Sequence, residues 1–436
     1  MKLMIIGGGP GGYETAIEAL NRGFEVTLVT EGPLGGTCLN EGCIPTKTFC
    51  HYAESLALQA ADGAQVPDMD LLQRRKADVL SKLQGGIASL LKKAQIVYGR
   101  ASFSGAKTVR VGDTDYTADK IIIATGSVQA TLPIPGAELC LGSGEMLNLR
   151  EVPRRLCVIG GGVIGLEFAS IFASLGSEVS VLEYCPGILP RFDEDLAKRL
   201  RLSLKKRGIG ITTSSQVTAV EKKADGSLAV SYIFKDEKCL AEADAVLMAV
   251  GRRPATDLLN LEAAGVEYGK KGIRVDSDMR TSADCIYAVG DVTGGIMLAH
   301  YASFQGRRAL NHICGVKDSI RFDICPAAVF TVPEVATVGL SEEDCKARGI
   351  DYRAHKGMFG GNGRAVSMGE SEGIVKILTE GEDGKILGAH ILGAHASDII
   401  HEMAALMNFD ATLLQTRDII HAHPTLSEVL QAAIRS

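Results

Sequence analysis

The sequence predicts an α/β fold built on two similar strand–turn–helix–strand repeats, and two observations support this prediction. Residues 3–31 read LMIIGGGPGGYETAIEALNRGFEVTLVTE, which is an apolar strand, a run of glycines, a helix and a second strand. Residues 156–183 follow the same order as LCVIGGGVIGLEFASIFASLGSEVSVLE. The chain of 436 residues is also too long for one hydrophobic core, so we expect several domains.

Each repeat carries the spacing G-x-G-x-x-G between its first strand and its helix. The glycines are Gly7, Gly9 and Gly12 in the first repeat and Gly160, Gly162 and Gly165 in the second. Glycines at this spacing permit a tight turn and let backbone N–H groups approach a pyrophosphate. One such motif is weak evidence, but two in the same context predict two Rossmann-like dinucleotide-binding domains.

An acidic residue at the end of the second strand typically binds the ribose hydroxyls of the dinucleotide. In the second repeat this residue is Glu183, 18 residues beyond Gly165. The same offset in the first repeat falls on Thr30, with Glu31 next. Either Glu31 reaches the ribose from a shifted strand end, or Thr30 replaces the acid with a weaker hydrogen bond. The Glu183 carboxylate would repel a 2′-phosphate, and the following EYCPG contains no Arg, which favours NAD over NADP.

Three later apolar strands end in Gly or Asp. They are IIIATGS at 121–127 with Thr125 and Gly126, VLMAVGRRP at 246–254 with Gly251, and SADCIYAVGDV at 282–292 with Asp291. An Asp after a buried strand is commonly a turn residue. Asp291 could also bind the polyol of a cofactor.

Two cysteines, Cys38 and Cys43, lie five positions apart in LGGTCLNEGCIPTK at 34–47. A bridge between them would close a very short loop and add little stability, so redox chemistry is the more plausible purpose of a bridge. Pro45 is tolerated in a first helical turn, which would place Cys43 at the positive end of a helix, with Lys47 as a nearby cation. The alternatives are two reduced cysteines in a loop or half of a zinc site, and the spacing is wider than zinc usually takes.

Composition excludes several classes of partner and location. The net charge is −6 and no block of five or more Lys/Arg occurs, so nucleic acid and anionic membranes are not expected partners. No apolar run of 18 residues occurs that could span a membrane. The eleven cysteines are odd in number and scattered, which argues against a secreted disulfide framework. We therefore expect a cytoplasmic protein without a metal site, in which most cysteines are buried thiols.

Together these motifs resemble those of the flavoprotein disulfide reductases over nearly the whole chain. The matching segments are GGTCLNEGCIPTK, GDV at 290–292, LAHYASFQG at 298–306, NGRA at 362–365 and HAHPTLSE at 421–428. The first and last of these are highly specific, whereas the glycine turns alone are not. Two departures from the family pattern are Thr30 and the pair Phe304 and Gln305, which stands where two acidic residues are usual.

The resemblance implies a domain order and a set of cofactor contacts. Residues 1–149 would begin an FAD-binding domain, 150–274 would bind NAD, 275–319 would complete the FAD site, and 320–436 would form an α+β dimerisation domain. Lys47 would lie beside the flavin and pair with Glu167, and Asp291 would bind the ribityl chain. The remaining cofactor contacts implied by the resemblance and the glycine motifs are Gly7, Gly9, Gly12, Glu31, Thr125, Gly126, Leu298, Ala299, Gly160, Gly162, Gly165, Glu183 and Gly251.

The C-terminal motif has physical features of its own. Thr425 and Glu428 form a predicted capping box before an apolar helical face of Leu426, Val429, Leu430, Ala433 and Ile434. His423 could be a structural residue before Pro424, or a general base that Glu428 orients. The resemblance favours the base and implies that His423 reaches the active site of the partner subunit in a homodimer. His421 would point to the opposite face of an extended chain, and we interpret it as structural.

The resemblance implies an oxidoreductase that acts on dihydrolipoyl groups and reduces NAD. Cys38 would exchange with the substrate thiols and Cys43 would face the flavin. The partner would be the lipoyl domain of a 2-oxoacid dehydrogenase or glycine-cleavage complex. A glutathione reductase is disfavoured by Glu183, and a mercuric reductase by a C-terminus, QAAIRS, without cysteines. A non-catalytic flavoprotein component of a lipoyl-dependent complex remains the alternative from another class.

Overall fold

The computed structural model describes residues 1–59, 66–381 and 384–435. The chain forms two compact units. The first compact unit contains residues 1–49, 68–130 and 251–320, and the second contains the described residues of 50–67, 131–250 and 321–436. The chain leaves and re-enters each unit. Each unit therefore combines motifs that are distant in sequence.

The elements of the described residues follow in chain order. The helices are α1 (Pro10–Asn21), α2 (Gly36–Asn40), α3 (Cys43–Gln59), α4 (Met69–Leu90), α5 (Ser143–Met146), α6 (Val163–Ser174), α7 (Glu194–Lys206), α8 (Ala299–Ile313), α9 (Glu342–Arg348), α10 (Gly363–Met368), α11 (Ala396–Asn408), α12 (Leu413–Thr416) and α13 (Glu428–Ile434). The strands up to the second repeat are β1 (Lys2–Ile6), β2 (Glu25–Thr30), β3 (Gln95–Tyr98), β4 (Ala101–Gly105), β5 (Thr108–Val111), β6 (Thr114–Thr117), β7 (Lys120–Ile123) and β8 (Ser127–Gln129). The later strands are β9 (Arg155–Ile159), β10 (Glu178–Leu182), β11 (Gly210–Thr212), β12 (Ser215–Lys222), β13 (Leu228–Phe234), β14 (Glu237–Ala243), β15 (Ala245–Met248), β16 (Arg252–Pro254), β17 (Tyr268–Gly269), β18 (Gly272–Ile273), β19 (Ile286–Ala288), β20 (Ala327–Val329), β21 (Glu334–Gly339), β22 (Arg353–Met358), β23 (Ile374–Glu380) and β24 (Lys385–Gly393).

A parallel sheet forms the centre of the first compact unit. Its strand order is β19-β7-β1-β2-β3, and each neighbouring pair runs parallel. Residues 3–6 of β1 and 121–123 of β7 are buried apolar side chains, as expected of parallel strands covered on both faces. A three-stranded antiparallel sheet of β4, β5 and β6 precedes β7.

The second compact unit repeats this arrangement with a smaller sheet. Parallel strands β11-β10-β9-β15 form its nucleotide-binding-type sheet, and β12, β13 and β14 form an antiparallel meander. In both repeats the strand that precedes the glycine turn pairs directly with the strand that follows the helix. The internal duplication predicted from the sequence is therefore confirmed in the strand topology.

The C-terminal part of the second compact unit is an antiparallel sheet of order β20-β21-β24-β23-β22. Helices α11 and α13 bury their apolar faces on this sheet, and the shared core includes Ile377, Ile391, Met403, Val429 and Leu430. This segment is the predicted α+β region. The predicted fold class, two Rossmann-like domains with a C-terminal α+β domain, is confirmed. Within the part of the chain that the structure describes, no helix combines the length and the apolar character needed to cross a membrane.

Candidate active site

The first glycine turn, residues 7–12, joins β1 to α1, and only glycine fits at its positions 7 and 12. Gly7 has φ of +121°, and a Cβ there would lie 2.1 Å from the carbonyl oxygen of Ala124. A Cβ on Gly12 would lie 1.8 Å from the carbonyl oxygen of Gly7. Real Cβ atoms do not approach backbone oxygens so closely, so both glycines are required by the packing of the turn itself.

The second glycine turn, residues 160–165, has the same construction between β9 and α6. Gly160 has φ of +113°, and a Cβ there would lie 2.4 Å from the carbonyl oxygen of Ala249. A Cβ on Gly165 would lie 2.0 Å from the carbonyl oxygen of Gly160. The two turns therefore have the same backbone conformation.

The middle glycine of each motif has a different explanation. Gly9 and Gly162 are the N-cap residues of α1 and α6, with ordinary φ values of −77° and −81°. A Cβ on Gly9 would meet no protein atom closer than 3.9 Å, and a Cβ on Gly162 would meet none within 4 Å. Packing within the protein therefore does not require glycine at either position. An open glycine at a helix N-terminus fits the close approach of a pyrophosphate, so both turns fit a dinucleotide.

The strand ends beside the two turns are equivalent in the backbone but carry different side chains. Gly7 donates its N–H to the carbonyl of Val29 at 2.7 Å, and Gly160 donates to Leu182 at 2.9 Å. The next residues, Thr30 and Glu183, therefore occupy matching positions, as the sequence offset predicted. The strand end of the first repeat is not shifted relative to the second.

The side chains at these positions make different hydrogen bonds. The buried carboxylate of Glu183 accepts N–H groups from Gly161 and, at 2.6 Å, from Cys185. The buried Thr30 hydroxyl donates to the carbonyl of Gly32 at 3.0 Å. Glu31 lies at the surface, where its carboxylate contacts the Arg100 guanidinium and its side chain is 62% exposed. Of the two alternatives for the first repeat, this geometry favours Thr30.

A series of hydrogen bonds links Arg252 and Ser127 to Asp291 in the first compact unit. Asp291 lies in the 3₁₀ turn Gly290–Thr293, and its Oδ2 accepts the Ser127 hydroxyl at 2.6 Å. The Arg252 guanidinium donates at 2.7 Å to both the Oγ and the carbonyl oxygen of Ser127. Burial lowers the pKa of Arg252, which the nearby Asp291 carboxylate partly offsets. These hydrogen bonds hold the Asp291 carboxylate in a fixed orientation.

The other predicted cofactor residues of the first compact unit lie at element ends. Thr125 follows β7 and donates its hydroxyl to the carbonyl of Ala255 at 2.8 Å, and Gly126 has φ of +74°. Gly251, with φ of +112°, accepts the N–H of Ala130 at 3.0 Å. Leu298 is the N-cap of α8 and Ala299 is its first residue.

Cys38 and Cys43 form a disulfide with their Cα atoms 4.7 Å apart. Cys38 lies in the short helix α2, and Cys43 is the first residue of α3, with Pro45 in the first turn. The predicted position of Cys43 at a helix N-terminus is confirmed. Lys47 follows one turn later on the same helix. A thiolate released at Cys43 would therefore sit at the positive end of the α3 dipole.

His423 and Glu428 form the second predicted catalytic pair, in the second compact unit. The Nδ1 atom of His423 lies 2.9 Å from Oε1 of Glu428, and the histidine side chain is 77% exposed. Glu428 Oε2 accepts the N–H of Thr425 at 2.7 Å. The pKa of Glu428 is lowered, first by this backbone N–H and then by His423. The carboxylate is thus fixed by the backbone and orients the imidazole.

The predicted capping box is only half correct. Glu428 accepts the Thr425 N–H as predicted, but the Thr425 hydroxyl donates to the carbonyl of Ala422 at 2.7 Å instead of accepting from the helix. The reason is that α13 begins at Glu428, with Ser427 as its N-cap, so Thr425 lies outside the first turn. The predicted apolar face is confirmed by burial of Val429, Leu430, Ala433 and Ile434.

Glu167, predicted near the flavin, is a buried residue of α6. Its Oε1 accepts the N–H of Phe330 at 3.0 Å within the second compact unit. Its predicted pairing with Lys47 stays a prediction.

Comparison with known proteins identifies the family. Residues 1–306 match the model of the pyridine nucleotide-disulphide oxidoreductases, and residues 325–434 match the dimerisation domain of the same group. The chain belongs to the pyridine nucleotide-disulphide oxidoreductase family.

Curated relatives and solved structures agree with this family. A dihydrolipoyl dehydrogenase of Geobacillus stearothermophilus is 40% identical, covering 99% of this chain and 94% of that protein. A mitochondrial dihydrolipoyl dehydrogenase of Pisum sativum is 39% identical, covering 99% and 90%. The HOCl-induced flavoprotein disulfide reductase RclA of Escherichia coli superposes with a TM-score of 0.91 at 30% identity, covering 100% and 99%.

Membership of the pyridine nucleotide-disulphide oxidoreductases confirms several predictions. The chain is an oxidoreductase of the flavoprotein disulfide reductase type, and the family uses the predicted cofactors FAD and NAD. The Cys38–Cys43 disulfide fits the redox-active disulfide of such an enzyme. The dimerisation domain indicates a homodimer.

Sequence reasoning did not identify some polar residues of the site. Ser127 and Arg252 hold Asp291, although 164 residues separate Ser127 from it. Gln305, noted only as a departure from the family, accepts the N–H of Gly290 at 2.7 Å and so supports the turn that carries Asp291. The available signal for Arg252 was its place in GRRP after a buried strand. Nothing in the local sequence of Ser127 indicates its partner.

Proposed function

We propose that this protein is a dihydrolipoyl dehydrogenase, which oxidises dihydrolipoyl groups and reduces NAD. The observation that carries the proposal is the Cys38–Cys43 disulfide at the start of α3. It occurs in a chain about 40% identical over nearly its full length to proteins named dihydrolipoyl dehydrogenase.

The first glycine turn would hold FAD and the second would hold NAD. FAD would contact Gly7, Gly9 and Gly12, the strand-end residue Thr30 or Glu31, Lys47, Thr125, Gly126, Asp291, Leu298 and Ala299. NAD would contact Gly160, Gly162, Gly165, Glu183 and Gly251, and Glu167 would pair with Lys47. Bound FAD would supply the hydride chemistry that links the cysteine pair to NAD. The residues around both turns fit these groups because Gly9 and Gly162 leave the helix N-termini open.

The chemistry of the chain itself is thiol–disulfide exchange. One thiolate of the dihydrolipoyl group attacks Sγ of Cys38, the Cys38–Cys43 bond breaks, and Cys43 leaves as a thiolate. The second substrate sulfur then attacks the mixed disulfide, which releases the lipoyl disulfide and leaves Cys38 reduced. Two electrons thus move from the substrate to the cysteine pair. The α3 dipole stabilises the Cys43 thiolate, and Lys47 adds a positive charge on the same helix.

His423 would handle the proton of the attacking thiol. With Nδ1 directed at the Glu428 carboxylate, the neutral imidazole carries its proton on Nδ1 and its lone pair on Nε2. Nε2 has no hydrogen-bond partner among the described residues. His423 can therefore take the proton at Nε2, and Glu428 stabilises the imidazolium that forms.

Several finer features belong to this proposal. His423 would act in the active site of the partner subunit, with residues 320–436 forming the dimer interface. Residues 1–149 and 275–319 would build the FAD site, and 150–274 the NAD domain. The partner would be the lipoyl domain of a 2-oxoacid dehydrogenase or glycine-cleavage complex. A cytoplasmic location agrees with the odd number and scattered positions of the eleven cysteines, which argue against a secreted disulfide framework.

The test is a steady-state assay of the purified holoenzyme with two substrate pairs. Turnover of NADH with lipoamide is compared with turnover of NADPH with glutathione disulfide, and bound flavin is measured for every variant by its absorbance. The variants are Cys43→Ser and His423→Ala, and Cys314→Ser serves as the matched control because Cys314 is an exposed free cysteine.

We expect lipoamide with NADH to be preferred by orders of magnitude. Cys43→Ser should keep FAD and lose lipoamide turnover, and His423→Ala should lose about 10²–10⁴-fold in kcat. Cys314→Ser should behave as the parent protein. A preference for NADPH or glutathione disulfide would assign the chain to another disulfide reductase. Retained biological function in Cys43→Ser would instead support a non-catalytic flavoprotein component.

A further inference from the structure

The segment around the redox cysteines is built on the short helix α2. This helix has five residues, Gly36–Asn40, and carries Cys38 in its middle. A helix of this length is not stable by itself, so its position depends on contacts with the rest of the first compact unit. The disulfide to Cys43 is one such contact, and it is lost each time the cysteine pair is reduced. The contacts that remain then determine how close the two thiols stay.

The last residue of α2, Asn40, closes this segment through its side-chain amide. Its Nδ2 atom lies within hydrogen-bond distance of three carbonyl oxygens, those of Pro33 at 3.4 Å, Leu34 at 3.2 Å and Gly36 at 2.8 Å. The amide nitrogen donates and does not accept, so these contacts fix which end of the side chain faces the loop. The Oδ1 atom of Asn40 is left as the acceptor for a partner outside the loop.

Gln84 of α4 is that partner. Its Nε2 donates to Oδ1 of Asn40 at 2.5 Å, across 44 residues of sequence. Helix α4 has 22 residues and an N-cap at Asp68 whose side chain accepts the N–H of Leu71. It is a more stable support than a five-residue helix. The Asn40–Gln84 hydrogen bond therefore ties the short helix that carries Cys38 to a long one.

The other side of the segment packs on the first glycine turn. Gly35 donates its N–H to the carbonyl of Gly8 at 2.8 Å. Gly36 has φ of +56°, and a Cβ there would lie 2.5 Å from the Cα of Gly9. Helix α2 is therefore held between this turn and α4. The contact with the turn is made by backbone atoms, whereas the contact with α4 depends on the Gln84 side chain.

We infer that Gln84 is a positioning residue for the redox pair, which acts through Asn40 to keep Cys38 within reach of Cys43 while the disulfide is open. The functional part of this inference rests on the proposed function. When lipoamide is reduced, the Cys38 thiolate attacks the lipoyl disulfide and forms a mixed disulfide. The Cys43 thiolate then attacks Sγ of Cys38, which re-forms the Cys38–Cys43 bond and releases the dihydrolipoyl group. This closure depends on the effective concentration of Cys43 at Cys38.

The first measurement is the equilibrium of the cysteine pair with dithiothreitol in the holoenzyme, which needs neither lipoamide nor NAD. Two electrons and the thiol hydrogens pass from dithiothreitol to the Cys38–Cys43 disulfide, and dithiothreitol closes to its cyclic disulfide. The fraction reduced is measured by alkylation and mass spectrometry. Trypsin releases residues 23–47 as one peptide whose only cysteines are Cys38 and Cys43, so the other nine cysteines do not interfere.

Gln84→Met keeps the length of the side chain and removes its donor. Without this hydrogen bond α2 gains freedom only when the disulfide is open, which favours the reduced state. We expect the equilibrium constant for reduction to rise about threefold to tenfold, a shift of about 14 to 30 mV, with FAD content unchanged. Ser81→Ala, at an exposed position one turn earlier on α4, is the matched control and should leave the equilibrium unchanged. An unchanged equilibrium in Gln84→Met would overturn the inference.

Asn40→Ala tests whether Gln84 acts through Asn40. This variant should raise the equilibrium constant at least as much as Gln84→Met, because it also removes the contacts to the loop carbonyls. Adding Gln84→Met to Asn40→Ala should then have no further effect. Additive effects would mean that Gln84 acts by another route, which contradicts the inference. If Asn40→Ala does not fold, the comparison of Gln84→Met with Ser81→Ala still decides the role of Gln84.

The kinetic arm measures the reduction of lipoamide by NADH in the same variants. We expect Gln84→Met to lower kcat about threefold to tenfold with the KM for NADH unchanged, because closure of Cys43 on the mixed disulfide slows. An unchanged kcat would overturn the role of Gln84 in turnover. If the parent enzyme does not turn over lipoamide, the proposed function fails, whereas the equilibrium with dithiothreitol still shows whether Gln84 positions the cysteine pair.

Discussion

The two glycine turns have the same backbone and differ at the adjacent strand end. In both turns the carbonyl oxygen of the first glycine packs closely against the last glycine of the motif. Both turns also leave the middle glycine open at the helix N-terminus. Beside the first turn stands the Thr30 hydroxyl, and beside the second stands the Glu183 carboxylate. The shared part suits the pyrophosphate common to FAD and NAD. The strand-end residue is where the two sites can differ in affinity and in discrimination between cofactors.

The largest effect is expected from a Cβ in the shared part of either turn. Gly12→Ala and Gly165→Ala would bring a methyl group within 2.0 Å of a backbone oxygen, which no rotamer can relieve. We expect Gly12→Ala to lose FAD, and Gly165→Ala to keep FAD with the KM for NADH raised at least tenfold, about 1.4 kcal/mol. Flavin absorbance per chain and NADH kinetics measure the two outcomes.

Gly85→Ala is the matched control for these two variants. Gly85 lies inside α4, and a Cβ there would meet no atom within 4 Å. The helix should gain up to about 1 kcal/mol of stability from this change, with both cofactors unaffected. Retained FAD in Gly12→Ala, or an unchanged KM for NADH in Gly165→Ala, would contradict the assignment of the two turns.

The sequence predicted this comparison well because the turns are local. The glycine spacing, the apolar strands and the strand-end offset all lie within about 30 residues, and the backbone follows from steric limits on those residues. The position of Cys43 at a helix start was likewise predictable from Pro45. The fold class followed from the repeat.

Side-chain partners from distant segments were not predictable from the sequence. Ser127 and Asp291 meet only because β7 and β19 are neighbours in the sheet, and Glu402 meets His421 only because α11 packs beside the C-terminal segment. Local sequence does not encode such contacts. The Thr425 hydroxyl was mispredicted for a smaller reason, since α13 starts two residues later than a full capping box requires.

A large effect is also expected from Glu183→Thr, which makes the second strand end resemble the first. The change leaves the N–H groups of Gly161 and Cys185 without their acceptor, at a cost of about 1–3 kcal/mol for the buried N–H of Gly161. We expect the KM for NADH to rise about tenfold and the preference for NADH over NADPH to shrink, as measured by the ratio of kcat/KM values. Glu178→Gln, at the exposed start of the same strand, is the control. An unchanged ratio would show that Glu183 does not select NAD.

A smaller effect is expected from Thr30→Val in the first repeat. The change keeps the shape of the side chain and removes only the hydroxyl, which contributes about 0.5–1.5 kcal/mol as a neutral hydrogen-bonding group. We therefore expect the FAD dissociation constant to rise about threefold to tenfold, as measured by flavin fluorescence on release. Thr27→Val on the same strand is the control, because the Thr27 hydroxyl contacts the exposed Gln95 side chain. Equal FAD affinity in the two variants would show that the Thr30 hydroxyl does not contribute to FAD binding.

The smallest effect is expected from Glu31→Gln, the competing candidate for the FAD ribose. Its carboxylate contacts Arg100 at the surface, and both side chains are more than half exposed. Solvent screening makes such an ion pair contribute little, so the FAD dissociation constant should change by less than about twofold. The same fluorescence titration measures it. A rise of tenfold or more would mean that Glu31 leaves Arg100 and reaches the ribose when FAD binds. The first repeat would then use an acidic residue as the second does, and the difference between the two strand ends would be one of position instead of charge.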